Sequence, residues 1–253
     1  MSAAELLSGL LGLGFVLLFA ILLLVFAALG GKQPARPVRE IPAFQKLRRA
    51  VGLAVESGTR LHVSLGRADL TGPDSAVGLA GLTVLERATR AAAISDRPPI
   101  ATSGEGSLAT LSQETLDSMR RSVSPDREPD PGAGRLTGLT PFSYAAGVIP
   151  VIHDEHISTN IILGHFGPEV ALITEAGERV GSLTIAGTDQ VSAQAVIYAT
   201  AQEPLVGEEV YASGAYLGSS PAHVASLRVQ DIFRWALIIA ILLGALARLV
   251  HLI

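Results

Sequence analysis

Residues 61–75 read LHVSLGRADLTGPDS, and this stretch decides the fold. Leu61 to Leu65 reads as a short strand. Thr71-Gly72-Pro73-Asp74 then reads as a helix start, with a capping threonine, a proline early in the first turn and an acid near the positive end of the helix dipole. The helix that follows, to about Ile94, is rich in Ala and Leu. Further on, Pro99 to Ser103 predicts a second strand, Gly104-Glu105-Gly106 a tight connection and Ser107 to Arg121 a second helix. Strand and helix therefore alternate from the start of the domain.

The alternation continues toward the carboxyl end. Residues 123–135 are dense in Pro, Asp, Ser and Gly without apolar periodicity, which predicts a mobile surface loop. Beyond it come a buried helix from Pro141 to Ile152, a strand from Thr159 to Leu163 and a helix opened by Gly167-Pro168-Glu169 that runs to Ala176. A strand from Leu183 to Ala186, a helix from Val191 to Thr200 and a short helix from Glu208 to Leu217 complete the series. Toward the amino end, Phe44, Leu47, Val51 and Val55 have helical spacing, and Gly58 supplies a stop. The predicted class is α/β: a mainly parallel, Rossmann-like sheet with helices on both faces.

Both ends are apolar. Leu6 to Leu29 carries no charge and, at about 1.5 Å per residue, is long enough to cross a hydrocarbon core of roughly 30 Å. A second span is expected over 232–253, with Trp235 and Arg234 placed like interfacial anchors and Arg248 close enough to the end to snorkel. Ser219-Ser220-Pro221 caps a helix leading into it. The expected division is an N-terminal span over 1–30, a basic linker over 31–42, an α/β domain over 43–231 and the second span. Lys32, Arg36, Arg39, Lys46, Arg48 and Arg49 follow the first span and nothing basic precedes it, so the central domain is expected in the cytoplasm with both short termini outside.

Composition narrows the function classes. About half of the 253 residues are hydrophobic and mean hydropathy is +0.43, in keeping with membrane segments. A net charge of −4 without a basic face argues against nucleic-acid binding. The chain has no cysteine, which excludes disulfides, thiolate nucleophiles and cysteine-ligated metals. It also lacks a Gly-Lys-Ser/Thr phosphate loop, a full dinucleotide fingerprint and a Gly-x-Ser-x-Gly elbow.

Segments 44–66, 71–75, 136–147, 166–173 and 199–209 resemble an uncharacterised bacterial membrane-protein family catalogued as a domain of unknown function. The likeness extends from about Ile41 to Ala245. It implies a recurrent domain and brings no activity, cofactor or catalytic residue with it.

In an open parallel sheet, ligands sit beyond the carboxyl ends of strands, where loops lead into helix N-termini. The loops in that place are 66–75, 103–107, 164–169 and 187–190. Their candidate ligand-binding residues are Gly66, Arg67, Thr71, Ser75, Ser103, Gly104, Glu105, Gly106, Ser107, His165, Gly167, Thr188 and Asp189. As an anion or nucleotide pocket, Gly104, Gly106 and Ser107 would present backbone donors, Arg67 charge and Asp189 an acceptor for a hydroxyl. The same residue types serve ordinary turns and caps. His153-Asp154-Glu155-His156 with His165 offers metal-binding chemistry, but its spacing is not that of a zinc protease, and a polar helix end accounts for it as well.

Two functions follow as expectations. The first is a membrane-tethered binding, interaction or oligomeric assembly module, whose partners are the bilayer and either a second copy or another membrane protein. The second is a hydrolase or transferase acting on a phosphorylated or lipid-linked substrate, which predicts that Ser103, His165 and Asp189 approach one another within a cleft. The residues name no cofactor.

Overall fold

A computed structural model describes residues 3–30, 41–93, 95–123, 125, 128, 130–218 and 221–249. The chain divides into two units, one formed by its two ends and one by residues 40–218.

The central unit opens with α2 (Pro42–Ser57), which buries Phe44, Leu47 and Val51 and ends where Gly58 takes a left-handed φ of 65°. The strands are β1 (Arg60–Gly66), β2 (Ile100–Ser103), β3 (Gly134–Leu136), β4 (Ile157–His165), β5 (Leu183–Thr188) and β6 (Glu203–Leu205). All pairings are parallel and the order is β3-β2-β1-β4-β5-β6. This is the doubly wound order in which β1 and β4, distant in sequence, lie side by side. Intervening helices are α3 (Ser75–Ala91), α4 (Gly106–Val123), α5 (Pro141–Asp154), α6 (Val170–Arg179), α7 (Val191–Thr200) and α8 (Glu209–Tyr216).

Two apolar clusters show which helices cover which face. One gathers α2, α3, α4 and α8 over Leu61, Val63, Leu65, Ala101, Ile161, Leu163 and Ile185. The other gathers α5, α6 and α7 over Ile162 and Ala186, with Tyr144, Phe166 and Ile173 fully buried. Helices on both faces of a parallel sheet are what the alternating sequence predicts.

Several local readings need correction. The segment 123–135 is not loop throughout, because Val123 closes α4 and Gly134 opens β3; residues 124, 126, 127 and 129, on which the mobile-loop reading falls, lie outside the described residues. β3 and β6 escape a sequence reading because each has three residues, pairs on one side only and includes Gly134 or Pro204. Thr71 does not cap α3. Asp74 occupies the N-cap position, and the Thr71 amide and hydroxyl both donate to Asp69 within the preceding turn, each at 2.8 Å.

In the other unit, α1 (Ala3–Gly30) and α9 (Pro221–Leu249) pack through Phe233, whose ring lies 4.8 Å from Phe15 and 6.0 Å from Phe19. Both helices are long and apolar enough to cross a membrane. The second begins well before 232 and runs on without interruption. The expected linker residues 31–40, and the Ser219-Ser220 cap, lie outside the described residues.

Candidate functional site

The order of the strands makes the site. From β1 the chain departs to α3 on one face, and from β4 it departs to α6 on the other. Connections that leave adjacent strands in opposite directions open a crevice at the carboxyl edge. Gly66 and His165, the last residues of these two strands, are register partners. The Arg67 amide donates to the His165 carbonyl at 3.1 Å. Gly66 has a φ of 68°, and a Cβ there would stand 2.4 Å from that same carbonyl oxygen, so glycine is required for the two strand ends to meet.

On the α3 side of the crevice His165 is gripped from two loops. Its Nδ1 lies 3.0 Å from each carboxylate oxygen of Asp189 and 3.9 Å from Asp74 Oδ2, while Nε2 faces Gln190 Nε2 at 2.9 Å. A carboxylate only accepts, so Nδ1 carries the proton and Nε2 keeps its lone pair for the Gln190 amide. Thr188 locks the loop, donating to the Phe166 carbonyl and accepting from its amide at 3.1 Å. Partial burial, and then the negative charge of Asp189, hold the Tyr211 phenol above its ordinary pKa, so Tyr211 stays neutral at this edge.

On the α6 side stands an arginine, Arg67. The Arg67 guanidinium is 3.9 Å from Glu169 Oε1, a carboxylate only 2% exposed that also accepts the Gly167 amide at 2.9 Å. Gly104 makes room for this side chain, since a Cβ there would lie 2.4 Å from Arg67 Cγ. Its amide in turn donates to the Gly66 carbonyl at 2.8 Å. Beneath the turn, the Tyr144 hydroxyl accepts the Gly66 amide at 3.3 Å and meets Ser64 Oγ at 2.7 Å.

The β2 loop is occupied with its own helix. Glu105 accepts the amides of Ser107 and Leu108 at 3.0 and 2.8 Å, together with the Ser107 hydroxyl. Partial burial opposes ionisation of Glu105, but these hydrogen bonds outweigh it and hold the carboxyl below its usual range. Ser103 Oγ donates to the Glu105 carbonyl. Ser75 sits at the start of α3, its amide donated to the Gly72 carbonyl.

Of the residues singled out by sequence, Gly66, Arg67, His165, Gly167, Thr188 and Asp189 therefore converge, with Gly104 against Arg67. Glu105, Gly106 and Ser107 form the start of α4, and Thr71 belongs to an Asp69-centred turn. Among the described residues Ser103 makes no hydrogen bond to His165 or Asp189, although those two meet. His153 and His156 lie at the other end: β4 separates His156 from His165 by about 30 Å at 3.3 Å per residue, so the three histidines do not form one site. Sequence reasoning missed Asp74, Glu169, Gln190, Tyr144 and Tyr211 as members of the site. Each stands in or beside a flagged loop or helix, but only the strand order turns it toward the crevice.

The chemistry of the edge is lopsided. Among the described residues Asp74, Glu169 and Asp189 place three carboxylates against the Arg67 guanidinium and the His165 imidazole, with Asp69 and Glu105 bonded within their own loops nearby. Such a crevice presents acceptors for hydroxyl or amino groups along most of its length and a single donor cluster at Arg67.

A family model described as a domain of unknown function (DUF6754) matches residues 7–253. No curated protein and no solved structure matches the chain.

Proposed function

The chain belongs to the DUF6754 family, a domain of unknown function, and from its geometry we propose a membrane-anchored receptor module that binds a small polar molecule at the β1/β4 crevice. The observation that carries this reading is the meeting of His165 with Asp189, Asp74 and Gln190 at the one place where the doubly wound sheet opens. The ligand's chemistry follows from the charges: hydroxyl or amino donors toward Asp74 and Asp189, and one acceptor or anionic group toward Arg67. The two apolar helices serve as anchors. The basic residues that follow α1 favour a cytoplasmic position for the domain.

The test is a thermal-shift panel of nucleosides, sugars, sugar phosphates and amino acids on the detergent-purified protein. At least one class should raise the melting temperature in the wild type and fail to do so in Asp189→Asn and Arg67→Gln. A panel without any shift, or a shift that both variants retain, removes the proposal.

One contact favours a second reading, an enzyme of the hydrolase or transferase type. An imidazole with Nδ1–H on a carboxylate and a lone pair at Nε2 is arranged as a general base. A substrate hydroxyl would have to displace the Gln190 amide. Turnover of a phosphorylated or lipid-linked substrate that vanishes in His165→Asn would favour this reading over simple binding.

A further inference from the structure

The two terminal helices are out of step with each other. The uncharged run of α1, Leu6–Ala28, has its midpoint at Leu17. Phe233 of α9 rests on Phe15 and Phe19, one on each side of that midpoint. Yet the uncharged part of α9 extends from Trp235 to Ala247 and centres on Ile241, roughly 12 Å further along the helix at 1.5 Å per residue. One helix can be centred in a bilayer, or the other, but not both.

Centring α9 pushes about 12 Å of α1 out of the hydrocarbon, which strands leucine, isoleucine and phenylalanine side chains in water where nothing compensates them. Centring α1 brings Arg228 within about 8 Å of the midplane, and Asp231 and Arg234 within about 5 Å. These two can compensate each other. They form an ion pair at 3.3 Å, with side chains 64% and 45% exposed. Gln230 is exposed beside them, whereas Ala225 and Val229, elsewhere around the same helix, are buried. The second arrangement keeps the apolar length of α1 in the hydrocarbon, but it leaves an exposed ion pair facing lipid, and intramembrane charges face a protein interior or a partner.

We infer that the Gln230/Asp231/Arg234 stripe of α9 is a docking surface for a second copy of this chain within the membrane. The argument for that occupant is charge complementarity. An adjacent Asp and Arg form a surface complementary to itself under a two-fold rotation, because Asp231 of each copy can meet Arg234 of the other. A two-fold axis along the membrane normal also keeps both domains on one side and sets the two pairs at the same depth. Arg234 lies one helical turn from Asp231, within reach of its long side chain. This inference rests on the anchoring reading proposed above.

Two full-length copies carrying different affinity tags, co-expressed and extracted together, test it. Wild-type copies should co-purify. Asp231→Arg alone and Arg234→Asp alone, which each put like charges on the contact, should each lower self-association by about tenfold or more. An Asp231→Arg copy mixed with an Arg234→Asp copy should co-purify again, which also shows that both variants fold and insert. Wild-type copies that do not associate, single variants that associate normally, or a mixture that is not restored would each overturn the docking surface. Alkaline carbonate extraction separates the two ideas: a chain retained by the membrane but unpaired loses only the docking surface, and a chain released into the wash loses the anchoring with it.

Discussion

The two faces of the sheet are built on different physics. Under α2, α3, α4 and α8 the strands present Leu61, Val63, Leu65, Ile161 and Leu163, whose burial is favourable in any orientation that excludes water. Under α5 the same strands present His62, Ser64, Thr102 and Asn160, all fully buried, and their arrangement is directional. His62 Nδ1 lies 2.8 Å from Asn160 Oδ1 and Nε2 lies 2.9 Å from Thr102 Oγ1. The neutral ring therefore donates to Asn160 and accepts from Thr102, which leaves Thr102 Oγ1 to accept from Tyr144 at 3.0 Å, and Tyr144 to accept from Ser64. The polar face fixes a geometry, and its end at Gly66 is the turn that carries Arg67.

The largest expected effect breaks the apolar face. Leu65→Ala deletes a side chain with no exposure and should cost about 2–5 kcal/mol in urea unfolding of the detergent-purified protein. A loss under about 1 kcal/mol would mean that this face is not close-packed.

Next comes the pH dependence of the polar face. Burial lowers the His62 pKa to about 4 from 6.5, with the Asn160 hydrogen bond opposing and the charge of Arg135 adding to the shift. Because the folded value is the lower one, the unfolded chain binds the extra proton. The stabilisation is complete above about pH 6.5, declines as the pH falls and is gone below about pH 4. At a slope of up to about 1.4 kcal/mol per pH unit the total approaches roughly 3 kcal/mol. Unfolding free energies taken between pH 7 and 4 should show this loss in the wild type and a shallower one in His62→Gln. Equal slopes in the two proteins would place the titration elsewhere.

The contrast between the faces also explains what the sequence made legible. The leucine and valine positions of β1, the stop at Gly58 and the whole of α7 follow from local pattern and turn chemistry. So do Arg67, His165 and Asp189, because glycine beside a charged residue at a strand end marks a loop at the carboxyl edge. The partners of those residues do not follow. Asp74 meets His165, Glu169 meets Arg67 and Tyr144 holds Gly66 only because β4 lies beside β1, a pairing that spans about a hundred residues and leaves no local trace. Likewise His62 looks like the polar half of an alternating strand until α5 is seen to bury it.

Tyr144→Phe sharpens the comparison on a smaller scale. It removes the hydroxyl that joins Ser64, Thr102 and the Gly66 amide while keeping the ring that packs near Phe166. The expected cost is about 1–3 kcal/mol, the penalty for leaving buried polar groups unpaired. Amide exchange at Gly66 and Arg67 should rise with it. Unchanged exchange at the turn would show that Tyr144 stabilises the core without positioning Arg67.

The smallest effect is expected where the hydrogen-bonded chain stops. Thr184, on β5 and only 2% exposed, contributes an Oγ1 that makes no hydrogen bond to another described residue, and Asn160 Nδ2 is in the same position. Both atoms lie around the Cβ position of Gly177, at 2.5 and 3.2 Å, so the helix above them approaches closely without bonding to them. Thr184→Val keeps the branched shape and deletes the hydroxyl. With no protein hydrogen bond to lose, unfolding free energy should change by less than about 1 kcal/mol, against the larger loss from Tyr144→Phe. If the two substitutions cost the same, the polar network runs across β5 as well, and the division drawn at Asn160 is misplaced.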